Sequence, residues 1–162
     1  MTMSKKFVAY HEAGHAVTAI ALRLPFEYVT IVPDENRHGH VQFRKVRPTI
    51  TRGQAVVEAM AFMGGQVATA ALLHKSERPE EDFTTGERID LGFAVMTLES
   101  FWSGPERLKR VMRTTNKTVK LFNNSKIRKM TEVLAEALLV KQTMSFSEAV
   151  TLLYDQGEEA SQ

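Results

Sequence analysis

The chain has 162 residues, 43% of them hydrophobic and 25% charged, with a formal net charge of +2. That length and balance suit one globular domain with a sizeable core and argue against a disordered chain. The lack of cysteine excludes disulfides and thiolate metal ligands and fits a reducing, cytoplasmic setting.

Taken in order, residues 5–24 read as a helix stopped by Pro25. Inside it lies His11-Glu12-Ala13-Gly14-His15, an HExxH sequence. Residues four apart stack on one face of a helix, so His11 and His15 can aim two imidazoles at one ion. Glu12 is rotated by about 100° and left free for other work. This is the metal arrangement of a zinc metalloprotease, with two histidine ligands and a carboxylate that activates the metal-bound water. A signal-peptide core would not tolerate His11, Glu12 and His15. Nor is there a run of 18 or more apolar residues, so no membrane span is expected.

Residues 27–32 are β-branched and read as a strand closed by Pro33, and residues 34–39 carry turn chemistry. Residues 40–46 alternate as a second strand, which predicts a small antiparallel hairpin. Residues 51–74 form a long, Ala-rich, mostly buried helix. Gly64-Gly65 inside it costs about 1 kcal/mol per glycine relative to alanine, which implies that another backbone passes close by. A charged loop over 75–86 follows, and then helices over 87–102, 105–122, 126–142 and 145–154. Ser145 and Glu148 have the spacing of a capping box. Phe101 and Trp102 read as packing residues. From Arg107 to Lys129 there are nine Lys or Arg and no acid. Without a nucleic-acid motif this reads as a solvated basic helix face, and nucleic acid is disfavoured as a partner. The resulting fold class is mainly α, a single domain over 1–155 with a small antiparallel β element after the first helix, and a polar tail over 156–162.

A catalytic zinc takes three protein ligands and keeps one position open. Asp90, Asp82, Glu58, His74, His38 and His40 are candidates for the third. Asp90 is preferred because a polar loop delivers it to a helix start and apolar Ile89 and Leu91 flank it. His38-Gly39-His40 reads as a solvent-exposed loop rather than a metal clip.

The segment Tyr10-His11-Glu12-Ala13-Gly14-His15-Ala16 resembles the zinc motif of the FtsH-type, AAA-linked metalloproteases. The likeness extends through Thr30-Ile31-Val32-Pro33, through Gly64-Gly65 with Val67-Ala68, and through Thr84-Thr85-Gly86 with Asp90-Leu91. It continues in Leu134-Ala135, Leu138-Leu139 and the helix over 145–153. The resemblance implies a helical metalloprotease domain with His11, His15 and Asp90 as Zn2+ ligands and Glu12 as catalytic base. The chain departs from the family at Glu87 and Ile89, where Ala and Asn are usual, and at Thr69, where an acid is usual. It carries no Walker A sequence.

The expected function is zinc-dependent endopeptidase action on unfolded or flexible protein or peptide segments. A separate ATPase or unfoldase and homo-oligomers are the partners this implies. The edge of the strand at Val41, Gln42 and Phe43 is the expected substrate-aligning element. The alternative is a catalytically silent module that binds metal or a partner.

Overall fold

The computed structural model describes residues 4–44, 50–79 and 85–155. Helix α1 (Lys5–Ala21) leads into strands β1 (Phe26–Thr30) and β2 (His40–Phe43), then α2 (Arg52–Leu72). After a short 3-10 turn (Lys75–Glu77) come α3 (Thr85–Glu99), α4 (Gly104–Phe122), α5 (Ser125–Lys141), β3 (Thr143–Ser145) and α6 (Phe146–Asp155). The architecture is mainly α with one small antiparallel sheet, as expected. The tail over 156–162, Asp82, Thr84 and Val46 lie outside the described residues.

Helix α1 is buried without interruption from Phe7 to Ile20. A helix covered on all sides is a core helix, and α2, α5 and the sheet enclose this one. Ser4 starts it by accepting a hydrogen bond from the Phe7 amide at 3.1 Å. It ends earlier than Pro25 alone would require. Arg23 turns left-handed (φ 59°), its amide donates to Ile20 O, and the Leu24 amide donates to Ala19 O. That double bond pattern is a Schellman stop, completed before the proline is reached.

The sheet order is β2-β1-β3, with both pairings antiparallel. The hairpin of β1 and β2 matches expectation, with Val29 opposite Val41 and Thr30 opposite His40. Strand β3 is not foreseen: Thr143 and Met144, between the helices expected over 126–142 and 145–154, pair with Thr30 and Val29. Three residues are too few to show a period of two, and the pairing depends on a partner 113 positions away. The Thr30 and Thr143 hydroxyls meet there at 2.7 Å. The Ser145–Glu148 capping box forms as its spacing predicts, with each residue bonding the other's backbone amide.

By length and composition α2 could cross a membrane, but half of its most apolar window is buried inside the fold. It packs on α1, α3, α4 and α5. Its alanines and methionines divide between the main core around α1 and a smaller cluster of Ala59, Met63, Ala94 and Leu98 shared with α3.

The contact between α1 and α2 is glycine-dependent. A Cβ added to Gly64 would lie 2.6 Å from Gly14 O and 2.5 Å from Thr18 Oγ1, and one added to Gly14 would lie 2.4 Å from Ala68 Cβ. The close backbone approach implied by Gly64-Gly65 is therefore real. Replacing Gly64 with Ala should cost about 1–3 kcal/mol by forcing the helices apart. Gly92→Ala in α3 meets nothing within 4 Å, and should instead stabilise by about 0.5–1 kcal/mol. Opposite shifts in thermal midpoint would verify both; equal shifts would show that helix propensity alone governs.

Candidate metal centre

The two histidines lie one turn apart on the buried face of α1, with their Nε2 atoms 3.0 Å apart. Helix α3 brings Asp90 from 79 positions away, and its Oδ2 lies 3.0 Å from His11 Nε2 and 3.2 Å from His15 Nε2. Among the described residues these three make a group able to hold a metal ion. A tetrahedral ion with bonds of ~2.0–2.2 Å spaces its ligand atoms about 3.3–3.6 Å apart. The donor triangle is slightly tighter than that and needs only a small opening to fit zinc.

The floor of the triangle is backbone. A Cβ on Gly65 would lie 2.4 Å from His15 Nε2 and 2.8 Å from His11 Nε2. Gly64 thus spaces the helices, while Gly65 leaves room for the imidazoles. His15 Nδ1 lies 2.7 Å from the Ala61 carbonyl, so Nδ1 carries the hydrogen and Nε2 faces the centre. His11 Nδ1 is buried with no hydrogen-bond partner. The Thr69 hydroxyl, at the family's usual acidic position, donates to Gly65 O and Gln66 O of its own helix.

The electrostatics suit a cation. Burial pulls the His15 imidazole down, but the charge and hydrogen bond of Asp90 outweigh it and raise the group to about 9. Burial pushes the Asp90 carboxyl up, yet His15 and His11 hold it well below the usual carboxylate range. Glu12 is 6% exposed. Its burial raises the carboxyl above the ordinary value, against the lowering influence of His11, His15 and Arg37.

Gly39, read from sequence as an ordinary turn glycine, belongs to this site. A Cβ there would lie 2.9 Å from Glu12 Cγ and 2.8 Å from Thr30 O. The chain therefore crosses directly over Glu12 before starting β2. At the far end of β2, the rings of Phe43, Phe62 and Phe93 form a chain with centroid separations of 5.6 and 5.5 Å. Phe93 is one turn beyond Asp90 and 48% exposed.

The other candidates for third ligand stand elsewhere. His74 caps the 3-10 turn, and His38 is exposed. His40 is half-buried in β2, not in an open loop, with Nε2 3.2 Å from the Tyr28 hydroxyl. Glu58 lines a small apolar cavity with Leu24, Phe43 and Phe62. Asp90 does face inward, but not for the reason its neighbours suggested. Ile89 is 45% exposed, because adjacent residues on a helix point in different directions.

An HExxH helix faced by a carboxylate from a second helix presents the three-donor set of an open mononuclear zinc site. Comparison with known proteins gives the family: the model of peptidase family M41 matches residues 1–99, and the chain belongs to that family. It is 35% identical over 92 residues to an ATP-dependent zinc metalloprotease FtsH of Heterosigma akashiwo, covering 54% of this chain and 13% of that protein. A Thermoanaerobacter FtsH 1 is 33% identical over 91 residues, with 54% and 14% covered. The FtsH of Mesomycoplasma conjunctivae is 36% identical over 77 residues, with 45% and 10% covered. The matched stretch thus spans only about a seventh or less of these relatives.

Two outcomes should distinguish this centre from a structural cluster. Gly65→Ala should abolish zinc binding by displacing both imidazoles, and Asp90→Asn should weaken it beyond the roughly 10–100-fold typical of losing an outer partner. Zinc titration by calorimetry checks both, and wild-type affinity in either variant would refute the assignment. Zinc must also displace the proton held between His15 and Asp90 at neutral pH. Affinity should therefore rise with pH up to about 9, and the binding heat should depend on the buffer's ionisation enthalpy.

Proposed function

We propose that this chain is a zinc-dependent endopeptidase acting on unfolded or flexible protein segments. The observation that carries the reading is the buried triangle of His11, His15 and Asp90 with the Glu12 carboxyl beside it. The M41 membership and the zinc metalloprotease names of the FtsH relatives support it.

When bound, zinc supplies Lewis acidity that polarises a peptide carbonyl and makes water a stronger acid. His11 and His15 present Nε2 to the ion, and Asp90 presents Oδ2. The Ala61 carbonyl holds the His15 ring in its orientation. Glu12 accepts the proton from the attacking water and returns it to the departing amine. Its raised pKa brings the carboxyl closer to neutrality, where it can perform both halves of that transfer.

Among the described residues, strand β2 has a partner on one side only. We assign its outer edge, at Val41, Gln42 and Phe43, to hold substrate as an added antiparallel strand. The passage of Gly39 over Glu12 supports this, since a strand laid along β2 then runs past the carboxyl. The half-exposed Phe93 and the neighbouring Phe62 offer an apolar wall to a substrate side chain. Folded proteins do not present such extended segments, so the proposal includes loosened substrates or a separate unfoldase, in a cytoplasmic setting. Homo-oligomers are part of the same proposal.

The test is cleavage of a quenched-fluorescent casein with zinc and without ATP. Glu12→Gln should retain zinc and lose at least about 10²-fold in rate. Full activity in that variant would remove Glu12 from its role, and no activity in either protein would favour a silent binding module. Val41→Pro and Phe43→Pro should raise KM for peptides several-fold with kcat less affected; unchanged KM would reject the edge-strand assignment.

A further inference from the structure

Helices α2 and α4 line a second concavity. It is an open groove of about 1300 Å³, counting its mouth. Val56, Val57, Met60 and Leu121 give it an apolar floor, and Trp102 closes one side. Its lining shares no residue with His11, Glu12, His15 or Asp90.

Every charged residue lining this groove is cationic: Arg52, Arg110, Lys117 and Lys120. The Arg110 guanidinium lies 4.4 Å from the indole centroid of Trp102, and that of Arg52 lies 5.9 Å from it. Among the described residues none of the four forms an ion pair. Elsewhere on α4, Arg107 pairs with Glu99 and Lys109 with Glu106 at 2.9 Å, while Arg113 forms no ion pair among the described residues. The basic run is thus not uniformly a solvated face: part of it is answered within the fold, and the part over the groove is left for something else.

We propose that this groove docks an acidic amphipathic segment of a partner protein, with apolar side chains on its floor and carboxylates against Arg52, Arg110, Lys117 and Lys120. The floor calls for aliphatic groups, and the rim for several negative charges at once. A nucleic acid fits less well. The indole is the only aromatic ring in the lining, and the Arg110 guanidinium already stacks on it, so the lining lacks the series of aromatic platforms on which successive bases stack.

Trp102 is the only tryptophan in the chain, so its emission reports occupancy directly. The full chain is titrated with a short synthetic peptide alternating glutamate and leucine. The comparison probes are a lysine–leucine counterpart, a single-stranded DNA oligonucleotide and phosphatidylserine vesicles. The acidic peptide alone should bind and shift the emission. Lys117→Glu combined with Lys120→Glu should weaken it at least about tenfold, through lost attraction and new repulsion at exposed positions. Lys117→Arg with Lys120→Arg should bind as the wild type does, and zinc affinity should be the same in all three proteins. Binding that ignores the charge reversal, an unchanged Trp102 signal on binding, or tighter binding of DNA or vesicles would each overturn the proposal.

Discussion

The closeness of α1 to α2 is the constraint on which the rest of the structure depends. Gly14 and Gly64 let the two backbones meet without intervening side chains, and Gly65 leaves the space that the imidazoles of His11 and His15 occupy. A histidine pair on a helix surface would be free to sample rotamers in water. Pressed against the α2 backbone, with His15 tied to the Ala61 carbonyl, the two rings are held convergent. Preorganisation of this kind lowers the ordering cost of binding.

That same packing creates an electrostatic demand. Three titratable groups, His11, Glu12 and His15, are almost fully buried along one turn of α1. Buried charges are costly unless paired, and here Asp90 is the pairing group. Its carboxylate raises the His15 imidazole and is itself held well below the usual carboxylate range by the two histidines, so the three groups are coupled as a ligand set for a cation. Glu12 feels the same three groups, His11 and His15 lowering it and Asp90 raising it, but burial dominates and leaves its carboxyl raised. A single environment thus separates ligand chemistry from proton-transfer chemistry among acids a few ångströms apart.

The sheet and α2 then distribute function around this centre. β1 is central and braced on one side by β3, which leaves β2 open along its outer edge and anchored over Glu12 through Gly39. Helix α2 serves two functions along its length: Ala61 and Gly65 support the histidines, while Val56, Val57 and Met60, nearer its start, line the basic groove. Its hydrophobicity, sufficient by composition for a membrane span, is accounted for by the number of elements packed around it.

Sequence alone determined the features that depend on a few neighbouring residues. These include the helix that stacks His11 over His15, the Ser145–Glu148 cap, the hairpin of β1 and β2, and the tight approach at Gly64-Gly65. Each follows from local sterics and hydrogen bonding with a fixed period. The resemblance to FtsH-type proteases added Asp90 as the third ligand, although the apolar flanks that seemed to favour it were no guide, Ile89 being exposed. Tertiary structure alone decided what must meet across long separations: Asp90 with His11, β3 with β1, Gly39 with Glu12, and four cations lining one groove with Trp102. None of these has a local signature, because each contact forms only when burial of distant apolar faces brings separate elements together.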